Sequence, residues 1–98
     1  MTIAFIGFGE AGGILAADLA REHAVTIWDC KLNGPEREAM LRKARDSRVQ
    51  VGNSLAQALE SATLVFSTVT AGEALKVAQQ AAALLQPGQY FLDLNSVA

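Results

Sequence analysis

The chain has 98 residues, of which 51% are hydrophobic and 18% are charged, and its formal net charge is −2. This length fits one domain with a modest core, and the slightly negative net charge argues against binding to DNA or RNA, which needs a basic surface. With one cysteine and one histidine, the chain has too few of these residues for an internal disulfide or a metal site. It contains neither an apolar run of about 18 residues nor a leader-like segment, so we expect a cytoplasmic protein without a membrane span. Apolar runs alternate with helical patterns from end to end, which predicts a parallel sheet with crossover helices.

The first predicted strand, Thr2–Ile6, runs directly into a Gly-x-Gly-x-x-Gly turn, and a helix over residues 11–22 follows. In a dinucleotide-binding turn, Gly7 permits the tight bend, Gly9 lets the main chain approach a pyrophosphate, and Gly12 lets the helix pack close to the strand. The anion would then lie on free N–H groups at the start of the helix. The predicted cofactor-binding residues of this turn are Gly7, Phe8, Gly9, Glu10, Ala11 and Gly12.

The apolar positions of the first helix predict which of its faces is buried. They recur at spacings of three and four residues, with the charged residues on the other side. The residues expected to face the sheet are Ala11, Ile14, Leu15 and Leu19. The second strand, residues 25–28, ends at Asp29, where a carboxylate can accept hydrogen bonds from the hydroxyls of a ribose.

The middle of the chain alternates in the same way. A charged helix is predicted over residues 36–45 and a short third strand over residues 49–51. Ser54 and Gln57 have the spacing of a capping box, which predicts the start of a short helix.

The last part of the chain supplies two more strands, predicted over residues 63–69 and 90–94. Between them, Thr70 and Glu73 form a second capping box that opens a helix, and Pro87 stops it. The small-residue face of this helix comprises Ala74, Ala78, Ala81, Ala82 and Leu85. Right-handed crossovers join the five strands in the order 3-2-1-4-5, a Rossmann-type doubly wound α/β fold.

The strand order reverses between the first and fourth strands, and in such sheets a ligand lies across the carboxyl ends of the strands at that point. The loops that follow four predicted strands meet there. Besides the glycine turn, the residues expected to bind the cofactor are Asp29, Cys30, Lys31, Thr68, Val69, Thr70 and Asn95. Asn95 and Ser96 are also expected to contact a substrate.

Several of these positions have alternative interpretations. Thr70 is also a candidate helix cap, and Asn95 and Ser96 are also residue types that commonly form the turn after a strand. Asp29 either binds a ribose or only caps the loop that follows it. As a ribose ligand it favours NAD over NADP, because a 2′-phosphate would meet a negative charge at close range. Lys31 leaves NADP as an alternative cofactor, because its ammonium could turn toward a 2′-phosphate. Its other interpretation is a solvated surface lysine that binds no cofactor.

With these motifs, the whole chain resembles the N-terminal domain of the β-hydroxyacid dehydrogenase family, which includes 6-phosphogluconate and 3-hydroxyisobutyrate dehydrogenases. The resemblance rests on the glycine turn, on the segment 68–70 and on the segment 91–96. Asp93 matches the Asp of the family's Asp-x-Ser-Thr turn near nicotinamide and substrate, with Asn95 and Ser96 at its Ser and Thr positions. Where NADP-preferring members often carry Asn-Arg-Ser or Asn-Arg-Thr, this chain has Asp29 and the two residues after it.

The resemblance implies the cofactor-binding domain of an NAD(P)-dependent dehydrogenase that oxidises a small hydroxy acid and forms homo-oligomers at full length. It also implies that the catalytic lysine, the substrate loop and an all-helical second domain lie beyond residue 98. Residues 1–98 are then expected to bind the cofactor without turnover and to contain no catalytic residue. The alternatives are a nucleotide-sensing module without chemistry and a reductase of imines or of another cofactor.

Overall fold

The five predicted strands are all present in a computed structural model of the chain, which describes residues 1–94. Each strand is short, and the strands are β1 (Thr2–Ile6), β2 (Ala24–Trp28), β3 (Gln50–Val51), β4 (Leu64–Ser67) and β5 (Tyr90–Asp93). Within the described residues they form one parallel sheet in the order β3-β2-β1-β4-β5. The doubly wound fold and its strand order are therefore confirmed.

Helices cover both faces of this sheet. Within residues 1–94 the α-helices are α1 (Glu10–Leu19), α2 (Arg37–Ser47), α3 (Leu55–Leu59) and α4 (Ala71–Leu84). A short 3-10 helix, Cys30–Asn33, follows β2 where the sequence indicated only a loop. In the part of the chain that the structure describes, no helix is both long and apolar enough to cross a membrane.

Alternate residues of the central strand β1 divide the interior into two layers. Ile3 and Phe5 pack in a core with residues of α1 and α2, whereas Ala4 and Ile6 pack in a second core with residues of α3 and α4. At β1 both faces of the sheet are thus buried, whereas Tyr90 and Leu92 of the edge strand β5 are exposed. The side chain of Phe8 extends the first core just beyond the end of β1, and only 1% of it is exposed.

The buried face of α1 differs from the predicted one. Its fully buried residues are Gly12, Gly13 and Ala16, while Ala11 is exposed and Ile14 is 68% exposed. Leu15 and Leu19 are only partly buried against the first core. Small residues let the helix lie close to the turn and the sheet, and that close approach turns the larger Ile14 to the outside. The helix also ends at Leu19 rather than near residue 22, because the chain turns there to enter β2.

The face of α4 is likewise only partly as predicted. Ala81 is buried, but the other fully buried residue is Val77, and Ala82 is exposed. The helix α4 begins directly after Thr70, as the second capping box predicted, but the predicted side-chain cap is wrong. The hydroxyl of Thr70 makes no cap, and the N–H of Glu73 donates instead to the backbone carbonyl of Thr70 at 3.0 Å.

The first capping box is confirmed with one change. The N–H of Gln57 donates to the hydroxyl of Ser54 at 3.1 Å. The side-chain carbonyl of Gln57 accepts from the N–H of Asn53 at 2.9 Å, one residue earlier than the ideal motif. This cap fixes the start of α3, on the face of the sheet opposite α1 and α2.

Candidate functional site

The glycine turn, Asp29 and Thr68 are brought together by strand register. Ile6 is paired with Trp28 in β2 and with Ser67 in β4, so the residues that follow all three strands leave the sheet at one edge. Backbone hydrogen bonds continue the pairing past the strand ends. The N–H of Gly7 donates to Trp28 at 2.8 Å, and the N–H of Thr68 donates to Ile6 at 2.8 Å.

Gly7 and Gly12 are required by contacts within the protein. Gly7 has φ +98°, and a Cβ there would lie 3.0 Å from backbone atoms of Thr68 and Val69. A Cβ on Gly12 would collide with the hydroxyl of Thr68 and lie 2.8 Å from the carbonyl oxygen of Gly7. Both glycines therefore allow the turn and α1 to pack against the end of β4.

Gly9 is different, because no contact within residues 1–94 requires a glycine at this position. Apart from Gly9 itself and its two chain neighbours, no heavy atom of the described residues would lie within 4 Å of a Cβ at this position. Gly9 is exposed, and it is the residue that caps the start of α1. The open space beside Gly9 and the free N–H groups of the first helical turn are what the close approach of a pyrophosphate needs, so these residues fit a dinucleotide.

Asp29 is half-buried at the end of β2, and its carboxylate makes two hydrogen bonds. Its Oδ2 accepts from the N–H of Phe8 in the glycine turn at 2.8 Å, and its Oδ1 accepts from the N–H of Lys31 at 2.9 Å. The second bond caps the 3-10 helix, as one interpretation of this residue predicted. The first bond holds the carboxylate against the turn, and each oxygen keeps a lone pair for a further donor.

The other predicted residues of this edge differ in accessibility. Cys30, Lys31 and Thr70 are exposed, whereas Val69 is partly buried and packs against the second core. Thr68 donates its hydroxyl hydrogen to the carbonyl of Gly7 at 2.9 Å. The ring of Phe8 is in the first core, so a ligand at this edge meets only its backbone.

The edge continues toward the predicted substrate turn. Ser67 pairs with Asp93 in β5, and the N–H of Leu94 donates to the carbonyl of Ser67 at 2.9 Å. Strand β5 therefore ends at the same edge as the glycine turn. Asn95 and Ser96, which the sequence assigned to nicotinamide and substrate, lie outside the described residues.

Sequence reasoning missed one residue of this site, Lys43 on α2. Its Nζ donates to the carbonyl oxygens of Phe8 at 3.0 Å and of Gly9 at 2.9 Å, and it lies 4.5 Å from the centre of the Phe8 ring. Nothing in the charged pattern of α2 distinguishes Lys43 from its neighbours. The available signal was Gly13, a glycine inside a helix and outside the motif, because a Cβ there would lie 2.6 Å from the lysine Nζ.

Comparisons with known proteins agree with this geometry. A family model described as the NAD binding domain of 6-phosphogluconate dehydrogenase matches residues 2–98. No match was found among curated protein sequences. The family match confirms the resemblance seen in the sequence and the predicted cofactor class, NAD or NADP.

Solved structures also match. A conserved hypothetical protein from Sinorhizobium meliloti is 35% identical, with a TM-score of 0.89 over 100% of this chain and 33% of its own. The 3-hydroxyisobutyrate dehydrogenase of Mycobacterium tuberculosis, solved with L-serine, is 26% identical, with a TM-score of 0.78 over 94% of this chain and 30% of its own. Arogenate dehydrogenase from Synechocystis, at 23% identity and a TM-score of 0.82, shares the fold over 99% of this chain and 34% of its own. The chain thus spans about a third of the length of each of these structures.

Proposed function

Because the chain belongs to the family of the NAD binding domain of 6-phosphogluconate dehydrogenase, we propose that it is the cofactor-binding part of an oxidoreductase that acts on the CH–OH group of a small hydroxy acid. The family membership supports the cofactor class and the oxidoreductase role. The similarity to a 3-hydroxyisobutyrate dehydrogenase supports the proposed substrate class. A homo-oligomeric full-length enzyme with a second, substrate-binding domain is part of the same proposal.

In this proposal each strand end contributes a different part of the cofactor site. The first N–H groups of α1, beside Gly9, bind the pyrophosphate. Asp29 and the adjoining Cys30 and Lys31 lie on the adenosine side. The segment 68–70 lines the nicotinamide side, and Asn95 is proposed to bind the same part of the cofactor.

The chemistry of the cofactor is the acceptance of a hydride on its nicotinamide ring. The residues of this domain bind and orient it. By the likeness to the hydroxy acid dehydrogenases, the group that takes the hydroxyl proton is proposed to lie beyond residue 98, together with the rest of the substrate site. Ser96 would contact the substrate from this domain.

The observation that carries the cofactor preference is the carboxylate of Asp29, held 2.8 Å from the N–H of Phe8 at the edge of the glycine turn. A fixed negative charge at this place accepts hydrogen bonds from ribose hydroxyls and repels a 2′-phosphate. We therefore propose NAD rather than NADP as the cofactor.

Calorimetric titration of the 98-residue chain with NAD and with NADP tests this proposal. The wild type is expected to bind NAD more tightly, and Asp29→Ala to lose that preference. Asp46→Ala removes the same charge from an exposed position on α2 and is expected to keep the preference. If Asp29→Ala and Asp46→Ala change the preference for NAD over NADP equally, Asp29 is not a ligand of the ribose. A wild type that binds neither nucleotide would overturn the proposed function.

A further inference from the structure

The ammonium of Lys43 bonds to two consecutive carbonyl groups of the glycine turn. It donates to Phe8 and Gly9, and the ring of Phe8 lies against it. The Gly9 carbonyl also accepts the N–H of Gly13 at 2.8 Å, so this oxygen is held from both α1 and α2. A half-buried cation is thus fixed at the turn by three separate contacts.

These bonds decide where the N–H groups of the turn point. A trans peptide group is planar, and its C=O and N–H point in opposite directions. The Phe8 carbonyl shares a peptide group with the Gly9 N–H, and the Gly9 carbonyl shares one with the Glu10 N–H. Holding both carbonyls toward Lys43 therefore turns both N–H groups away from it, and neither has a hydrogen-bond acceptor within residues 1–94.

Gly13 makes room for this arrangement. A Cβ at Gly13 would lie 2.6 Å from Nζ and 2.7 Å from Cε of Lys43. An alanine there would favour the helix by up to about 1 kcal/mol, so the glycine is not explained by helix stability. The end of the lysine side chain occupies the space that the missing side chain leaves.

We infer that Lys43 is a positioning residue of the cofactor site. Held in the space left by Gly13, it binds the carbonyls of Phe8 and Gly9. It thereby directs the N–H groups of Gly9 and Glu10 at the pyrophosphate of the dinucleotide. This inference rests on the proposed function and adds to it the residue that orients the anion-binding turn. It predicts that Lys43 acts through the backbone of the turn, without touching the cofactor itself.

The variant Lys43→Met removes the ammonium and keeps the length of the side chain. It is expected to weaken NAD binding roughly tenfold, the effect of losing charge-assisted hydrogen bonds. In ¹⁵N-resolved spectra of the cofactor-free chain, the amide signals of Gly9 and Glu10 are expected to move. Arg42→Met removes a charge from the neighbouring, exposed position of α2 and is expected to change neither measurement.

Gly13→Ala provides a second route, because it displaces the lysine while favouring the helix. It is expected to weaken NAD binding in the wild type and to have little further effect in Lys43→Met, since the two changes remove the same contact. If Lys43→Met binds NAD as tightly as Arg42→Met, or if the Gly9 and Glu10 signals stay in place, the inference about Lys43 is wrong while the proposed function stands. If the wild type binds neither NAD nor NADP, both are wrong.

Discussion

The hydroxyl of Thr68 donates a hydrogen bond to the carbonyl of Gly7 at 2.9 Å and so joins the end of β4 to the glycine turn. This contact exists because Gly12 has no side chain, since a Cβ there would collide with that hydroxyl. The third glycine of the motif thus makes room for a side chain of a distant strand. The shape of the turn depends on β4 as much as on α1.

Replacing Thr68 tests that dependence. Thr68→Val keeps the shape of the side chain but leaves the Gly7 carbonyl without this donor, so we expect a loss of about 1 kcal/mol in the free energy of unfolding. Thr68→Ser keeps the hydroxyl and is expected to retain the hydrogen bond. Urea unfolding of the three proteins measures the difference. A Val variant as stable as the wild type would show that the bond contributes nothing to stability.

Gly7 and Gly72 form a matched pair of glycines for alanine substitution. Gly7→Ala forces a side chain into φ +98° and against the backbone of Thr68 and Val69, so we expect a loss of about 2 kcal/mol or more. Gly72 lies in α4 without a positive φ. Apart from its chain neighbours and the backbone of its own helix, no heavy atom of residues 1–94 would lie within 4 Å of a Cβ there. Gly72→Ala is therefore expected to stabilise the helix by up to about 1 kcal/mol. Thermal and urea unfolding would show opposite signs for the two variants. Equal effects would contradict the turn geometry.

The sequence was sufficient for the strand order and for the position of Asp29, because both follow from regular features. Apolar strands alternate with helices, crossovers are right-handed, and the acid follows the second strand directly. The orientation of α1 was not predictable from its apolar residues. The packing of Gly12 against Thr68 decides that orientation. Thr68 lies 56 positions after Gly12 in the chain, so the local apolar pattern of α1 does not reveal this contact. Lys43 was missed for the same reason, since its partners lie on another element.

The observed orientation of α1 leads to a stability prediction. Ile14 is 68% exposed, so Ile14→Gln is expected to change the free energy of unfolding by no more than about 0.5 kcal/mol. Ala16 is fully buried in the first core, and Ala16→Leu is expected to destabilise by about 1–3 kcal/mol through overpacking. Chemical unfolding of both variants measures this. A larger destabilisation by Ile14→Gln than by Ala16→Leu would instead support the buried face of α1 that the sequence pattern predicted.

Glu10, the first residue of α1, is expected to affect stability and cofactor affinity in opposite directions. Its exposed carboxylate complements the positive end of the helix dipole, so Glu10→Gln should lower the free energy of unfolding by about 0.5 kcal/mol. The same change removes a negative charge beside the proposed pyrophosphate site, so NAD should bind roughly two- to fivefold more tightly at low salt and by less at high salt. Glu38→Gln removes a carboxylate from the first turn of α2, and it should lower stability by a similar amount without changing affinity. Calorimetric titrations at two salt concentrations, with urea unfolding of both variants, measure the two effects. An unchanged NAD affinity in Glu10→Gln would indicate that the pyrophosphate lies away from the start of α1.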